Sequence, residues 1–395
     1  MKIFCWPLVC CFLLIASMLS AEEPNPHFMQ DLMTYLDLKI PENDITKLSE
    51  MKVHAESSGL TNEERKTVYK ELFDAMAQLQ GAHPPAAVVD SMVQSAMSWN
   101  CPGEAAQISK TTAKPGELAG VIKRGSGKIP LILIPDVGYD GSAFEPFLQR
   151  NGSNYTMYSV TLPGFASTPV IPGFEHRDYS QTRLWKNAEQ AVLNLIHREK
   201  LRKVVLAGHQ GGGYLAMRIA LDHPESIASV IVLNGLLYAP LTTSTNPSGK
   251  LNAEDRKHIT KLFLPIELFP RPSRQCYSRY LQSFATMLCK NPDRSKALTE
   301  NIARSDAHIV WDYYAELLAT DLTEEIQKIK VPLLVIPSIP DPDLPNSAIM
   351  FPGMSQWKQL NFPLLKVVPF ENTRWFATED NPEKLDKTIL AFLKS

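Results

Sequence analysis

The sequence predicts an α/β fold: a mainly parallel sheet flanked by helices, with a helical cap insertion and an N-terminal helical extension. Three observations predict it. From Leu118 onward, apolar strand-like runs alternate with amphipathic helical stretches, as expected of strands buried on both faces and joined by helical crossovers. Between about 236 and 328 that alternation gives way to a long, mostly helical stretch containing Pro265, Pro270 and Pro272. Ahead of Trp99 the apolar spacing is helical.

The chain opens on Met1-Lys2, an apolar run over 3–19 and the small pair Ser20-Ala21. One positive charge, a short apolar core and small residues read as a secretory signal over 1–21, which implies a secreted or otherwise extracytoplasmic protein. An uncleaved membrane anchor is the other reading, since the run is near the lower limit for spanning. No later run is long and apolar enough, so no stable membrane insertion is expected after signal cleavage.

Residues 22–100 form the predicted helical extension. Phe28, Met29, Leu32, Met33 and Leu36 recur at helix spacing, Thr61 and Glu64 make a capping box ahead of Val68, Leu72, Phe73, Met76 and Leu79, and Pro85 opens a third helix. Residues 101–395 form the main domain. Its strand candidates are 118–123, 130–135, 155–162, 203–208, 228–234, 331–337 and 364–370. Leu184, Ala188, Ala191, Val192, Leu195 and Ile196 stripe one helix, and Leu215, Ile219 and Ala220 a second that stops at His223-Pro224. The insertion at about 236–328 is expected to cap the strand ends and shape a pocket.

Composition excludes several classes of partner. A formal net charge of -2 on 395 residues gives no global attraction to nucleic acid or anionic membrane. His and Cys lack metal-ligand spacing and no Gly-rich loop is built to cradle phosphate, so no metal or other cofactor is expected. Nothing in the pattern indicates an oligomeric state. Three of the six cysteines lie in the signal, leaving Cys101, Cys276 and Cys289, of which Cys276 with Cys289 is the more plausible bonded pair. Asn151-Gly152-Ser153 and Asn154-Tyr155-Thr156 fit the N-glycosylation pattern. Two accidental sequons in a surface loop is the competing reading.

One segment is far more specific than the rest: Gly208-His209-Gln210-Gly211-Gly212, following the run Val204-Val205-Leu206-Ala207. It resembles the nucleophile elbow of the α/β-hydrolase family, a Gly-x-Ser-x-Gly turn from strand into helix, with glutamine where the serine belongs. The resemblance covers about Leu118 to the C-terminus. Ile134-Pro135-Asp136-Val137-Gly138 looks like the turn that carries the oxyanion hole, with Asp136 where the family usually has glycine, and Leu162-Pro163-Gly164-Phe165-Ala166-Ser167-Thr168 resembles the family's Pro-Gly-x-Gly-x-Ser loop. The stretch ending Pro337-Ser338-Ile339-Pro340-Asp341 aligns with the loop that presents the acid, which puts Asp341 in that role. Counting back from Pro382-Glu383 puts Trp375 at the histidine position, with Arg374 or Phe376 one residue away.

No alignment shift supplies an imidazole there, because the last histidine of the chain is His308. Serine attacks only when a neighbouring base takes its proton; glutamine is a poor nucleophile and indole donates a hydrogen bond but accepts no proton. The backbone N–H groups of Val137 and Gly211 are expected to bind at most a neutral carbonyl, since an inward Asp136 carboxylate would oppose a developing oxyanion.

The resemblance therefore implies a secreted, catalytically degenerate hydrolase-fold protein whose capped pocket holds a small molecule or partner. Gln210 and Trp375 would line that pocket. The alternative is an active hydrolase on an ester, amide or related small substrate, working through a non-standard site. Gln210 is either a turn residue or an amide facing a ligand, Trp375 packs into the space an imidazole would fill, and His209 points away from the pocket. An Asp136–Asp341 carboxylate pair is the remaining acid–base arrangement.

Overall fold

The strand runs of the main domain assemble into one seven-stranded sheet. Its strands are β1 (Gly120–Arg124), β2 (Ile129–Ile134), β3 (Tyr155–Thr161), β4 (Val204–His209), β5 (Ile227–Leu233), β6 (Leu333–Ile336) and β8 (Leu365–Val367), in the order β1-β3-β2-β4-β5-β6-β8. Only β1 runs antiparallel, against β3; the other pairings are parallel. In the computed structural model, continuous stretches are described over 60–79, 112–172, 179–239, 284–341 and 353–394, with scattered positions elsewhere. The predicted N-terminal signal, Cys101, Cys276 and the predicted helices at 28–36 and from Pro85 fall outside those stretches.

The chain divides into two units, one of Met1–Ala106, Arg177–Ser180 and Pro240–Tyr277, the other of Gln107–His176, Gln181–Ala239 and Ser278–Ser395. In the first, α1 (Asn62–Leu79) begins at the predicted capping box: Glu64 Oε2 accepts from Thr61 N at 2.8 Å while Thr61 Oγ1 accepts from Glu64 N at 3.3 Å. Tyr69, Leu72 and Phe73 on this helix are fully buried. The reciprocal bonds satisfy donors that a helix start otherwise leaves open.

In the second unit the helices α2 (Glu145–Asn151), α3 (Arg183–Arg198) and α4 (Gly211–Asp222) cross between strands. They are followed by α5 (Ala285–Leu288), α6 (Pro292–Ile302), α7 (Ala307–Leu318), α8 (Gly353–Trp357), α9 (Ala377–Asp380) and α10 (Pro382–Lys394). Every residue of β4 is buried, as a central parallel strand requires. Alternate residues Leu131, Leu133, Val205, Ala207, Ile231 and Leu233 build one core layer with Phe147 and Leu148 of α2 and Leu385 and Ile389 of α10. Each large side chain so buried contributes roughly 1.5–3 kcal/mol.

The last two strand runs end earlier than the sequence predicts. Pro337 and Pro369 stop β6 and β8, and the chain re-forms beyond them as a separate two-stranded sheet, β7 (Ser338–Ile339) with β9 (Phe370–Glu371). Proline has no N–H for a ladder, so each run breaks at its proline and Phe370 N bonds instead to Pro337 O at 2.9 Å.

Two further expectations are corrected. Cys289 is a buried free thiol, lying 3.3 Å from Asn291 O and 3.2 Å from Ser295 Oγ, and not half of a bond to Cys276. The two sequons do not share a surface loop: Asn151 is buried at the end of α2, whereas Asn154 is exposed in the turn before β3.

Candidate functional site

β2 and β4 are neighbours in the sheet, with Ile134 opposite Gly208. Asp136 and Gln210 each lie two residues beyond that pair, so two positions 74 apart in the chain (210 less 136) emerge side by side at the carboxyl ends of the strands. The chain reverses its direction of travel across the sheet here, from β3 on one side of β2 to β4 on the other. Open parallel sheets hold their sites at such a crevice.

Gln210 forms the turn between β4 and α4 with φ 47° and ψ -111°. A non-glycine residue held there costs about 1–3 kcal/mol and persists only where its surroundings fix it. Two backbone bonds do so: Gln210 N to Leu233 O at 3.0 Å and Tyr214 N to Gln210 O at 3.1 Å. The flanking glycines are steric necessities, since a Cβ on Gly208 would lie 2.1 Å from Gly212 O, and one on Gly212 would lie 2.1 Å from Ile134 O. The Gln210 side chain is buried.

The two N–H groups expected to form an oxyanion hole are both taken by the chain itself. Asp136 Oδ1 accepts from Val137 N at 2.8 Å and from Gly211 N at 3.0 Å, the two backbone donors expected to face a substrate oxygen. Asp136 Oδ2 takes the indole N–H of Trp375 at 3.3 Å and the Tyr314 hydroxyl at 3.5 Å. In place of the neutral carbonyl expected there, these two N–H groups meet a carboxylate. Burial pushes this carboxyl up to about 6, against the pull of the donors from Gly211, Val137, Trp375 and Tyr314.

The three residues aligned near the family's histidine go to three different places. Trp375 reaches Asp136; Arg374 bonds to Thr286 O at 2.8 Å and lies 3.5 Å from Asp341; Phe376 packs on Tyr139 and on the His209 ring. The loop that carries them is fixed by Trp375 N to Met287 O and Phe376 N to Leu288 O, which tie it to α5. His209 donates its Nε2–H to Trp375 O at 2.9 Å, because a carbonyl can only accept, and burial pushes its imidazole down to about 4. His209 thus holds the Trp375 backbone as a neutral ring.

Asp341 stands apart from this group. Its carboxylate lies 3.8 Å from Lys290 Nζ and 3.5 Å from an Arg374 guanidinium nitrogen, and it is partly exposed. The Asp136–Asp341 pairing considered from sequence is therefore replaced by two separate sets of partners. Tyr314 was not legible as a site residue, since it sits in the aromatic run Trp311-Asp312-Tyr313-Tyr314 with nothing local to single it out.

The helical segment over the strand ends is bonded directly to the site loops. Asp140 accepts from Asn301 Nδ2 at 2.8 Å and from the Arg304 guanidinium at 2.7 Å, and Ser305 Oγ donates to Gly138 O. The fully buried Glu316 of α7 accepts from Leu184 N at 3.0 Å and Trp185 N at 3.1 Å, a carboxylate set at the positive end of α3. Among the described residues, no group of three or more His, Cys, Asp or Glu is disposed to hold a metal ion. Nor is any described helix long and apolar enough to cross a membrane.

A sheet of this order with a strained strand-to-helix elbow at the end of β4 defines an α/β-hydrolase fold. The profile described as "Alpha/beta hydrolase family" matches residues 131–379, and the chain belongs to that family. It is 23% identical over 292 residues to (E)-2-((N-methylformamido)methylene)succinate hydrolase of Acinetobacter baylyi, a match spanning 73% of this chain and 99% of that one. It is 32% identical over 103 residues to the pimeloyl-acyl-carrier-protein methyl ester esterase of Aeromonas salmonicida, across 26% of this chain and 36% of that one. Among solved structures it is similar to an esterase from Exiguobacterium antarcticum, with a TM-score of 0.53, 18% identity and coverage of 70% of this chain and 95% of that chain. A thermophilic esterase from Thermogutta terrifontis matches with a TM-score of 0.51, 17% identity and coverage of 70% and 92%.

Proposed function

We propose that this chain is a catalytically degenerate member of the α/β-hydrolase family, exported from the cell, that uses its capped site to hold a small molecule or partner. The observation that carries this reading is the Asp136 carboxylate on Val137 N and Gly211 N. Acyl transfer needs those N–H groups to receive charge as the tetrahedral intermediate forms. A resident carboxylate already puts negative charge there. Gln210 at the elbow and Trp375 against Asp136 remove the nucleophile and the base from the same place.

Purified protein incubated with a broad ester and amide panel, and with a serine-directed phosphonate probe, tests the reading. No turnover and no labelled serine are expected. Turnover abolished by Gln210→Ala or Asp341→Asn would establish instead an active hydrolase working through a non-standard site. Export is tested separately by N-terminal sequencing of protein recovered outside the cell, which should begin near Glu22.

A further inference from the structure

The two adjacent sequons, 151–153 and 154–156, lie at the end of the sheet opposite the site. β3 begins at Tyr155 and runs parallel to β2, with Ile129 opposite Tyr155, so residues 151–154 lie at the amino ends of strands whose carboxyl ends carry Asp136 and Gln210. A bulky modification in this turn leaves the Asp136–Gln210 end of the sheet clear.

The structure separates the two asparagines by the role of their amide nitrogens. Asn151 is 2% exposed, and its Nδ2 donates to Phe147 O at 3.2 Å and to Asp386 Oδ1 at 2.9 Å. The first bond closes the end of α2 and the second joins α2 to α10, and the attached sugar of a glycan would have to pass through that packed junction. Asn154 is exposed, and its Nδ2 makes one long bond, 3.4 Å, to Asn151 Oδ1. Its backbone already sits in a turn, with Asn154 N bonded to Asn151 O at 3.0 Å, and the residue between acceptor and hydroxyl is Tyr155, not proline.

We infer that Asn154 is an N-glycan attachment site of this chain and that Asn151 stays bare. The inference rests on the proposed export, in a eukaryotic secretory route. In the transfer, the Asn154 amide nitrogen attacks the anomeric carbon of a polyprenyl-pyrophosphate-linked oligosaccharide. A C–N bond forms, the C–O bond to pyrophosphate breaks, the polyprenyl pyrophosphate leaves with the electron pair, and the amide loses one proton. The product is a neutral, hydrated surface group beside an intact Asn151–Asp386 bond.

The test is expression of the full chain, with its own first 21 residues, in a eukaryotic secretory host, followed by peptide N-glycosidase treatment and peptide mass spectrometry. One glycan is expected, released in a single step, with position 154 recovered as aspartate. Asn154→Gln should abolish the shift, while Ser153→Ala, which destroys only the Asn151 sequon at an exposed residue, should leave it unchanged. A secreted chain without glycan, or with its glycan on Asn151, overturns the inference. A chain that is neither exported nor glycosylated sinks the export reading alone. The same measurement with residues 1–21 replaced by a proven secretory signal then decides the glycan, and a bare Asn154 in that exported protein overturns it.

Discussion

The elbow and the loop that carries Asp341 differ in what they keep of the pattern expected of a hydrolase triad. At the elbow the backbone persists and the chemistry does not: Gln210 keeps the strained turn, and Gly208 and Gly212 keep the close approach of strand and helix. At the acid loop the residue persists and the geometry does not, since Asp341 lies against Lys290 and Arg374 while Trp375 turns to Asp136. Under the proposed reading, a frame without its nucleophile and an acid without its imidazole are separable losses. Neither a preserved loop nor a preserved side chain is by itself a sign of activity.

The sharpest way to break that contrast is to disturb the frame. Gly212→Ala sets a methyl 2.1 Å from Ile134 O, a backbone atom that cannot rotate away. We expect a loss of about 3 kcal/mol or more in urea unfolding, or failure to fold. A fall of less than 1 kcal/mol would show that the elbow is not held by close contact.

Restoring the chemistry is the next largest effect. The double change Gln210→Ser with Trp375→His should give at most trace esterase activity while Asp136 fills the hole. Adding Asp136→Gly should then raise turnover by about 10²–10³-fold, the scale of one oxyanion donor. Full activity in the double variant would mean that the hole was never blocked.

The two buried ionisable groups make a paired prediction. Asp136 binds its proton more tightly when folded, at about 6 against an ordinary 3.8, so its contribution falls as pH rises through that window. His209 does the reverse. Its folded value of about 4 lies below an ordinary 6.5, so its contribution rises with pH over nearly the same range. Each amounts to about 3 kcal/mol, and they largely cancel. Asp136→Asn should therefore expose stability that climbs between about pH 4 and 6.5, and His209→Gln stability that declines between about pH 4 and 6, read from urea midpoints. Flat profiles in both variants would contradict the burial of these groups.

The smallest effect is expected at the acid loop. Asp341→Asn removes a partly exposed ion pair and should cost under about 1 kcal/mol, with no change in any activity. A larger loss would make Asp341 a working part of the site.

Much of the fold was legible because local patterns carry it. The runs at 130–135, 155–162, 203–208 and 228–234 became β2 to β5 with ends shifted by at most one residue, since strands buried on both faces write themselves as continuous apolar runs. The runs containing Pro337 and Pro369 did not, because the missing N–H takes effect only when a partner strand is present to need it. Within the site, Gln210 at the elbow and Trp375 at the aligned histidine position could be read directly. The position of the Asp136 carboxylate and the part played by Tyr314 could not, since four donors from four stretches of chain meet only after folding.

By itself, then, the sequence determined the sheet, the elbow and the presence of Gln210 and Trp375 at the aligned positions, all matters of residue type and short-range spacing. The tertiary structure alone decided that the Asp136 carboxylate accepts from both Val137 N and Gly211 N. The Val137 and Gly211 N–H groups converge only once β2 and β4 lie side by side, and a buried pair of donors takes the nearest acceptor, which here is the chain's own carboxylate.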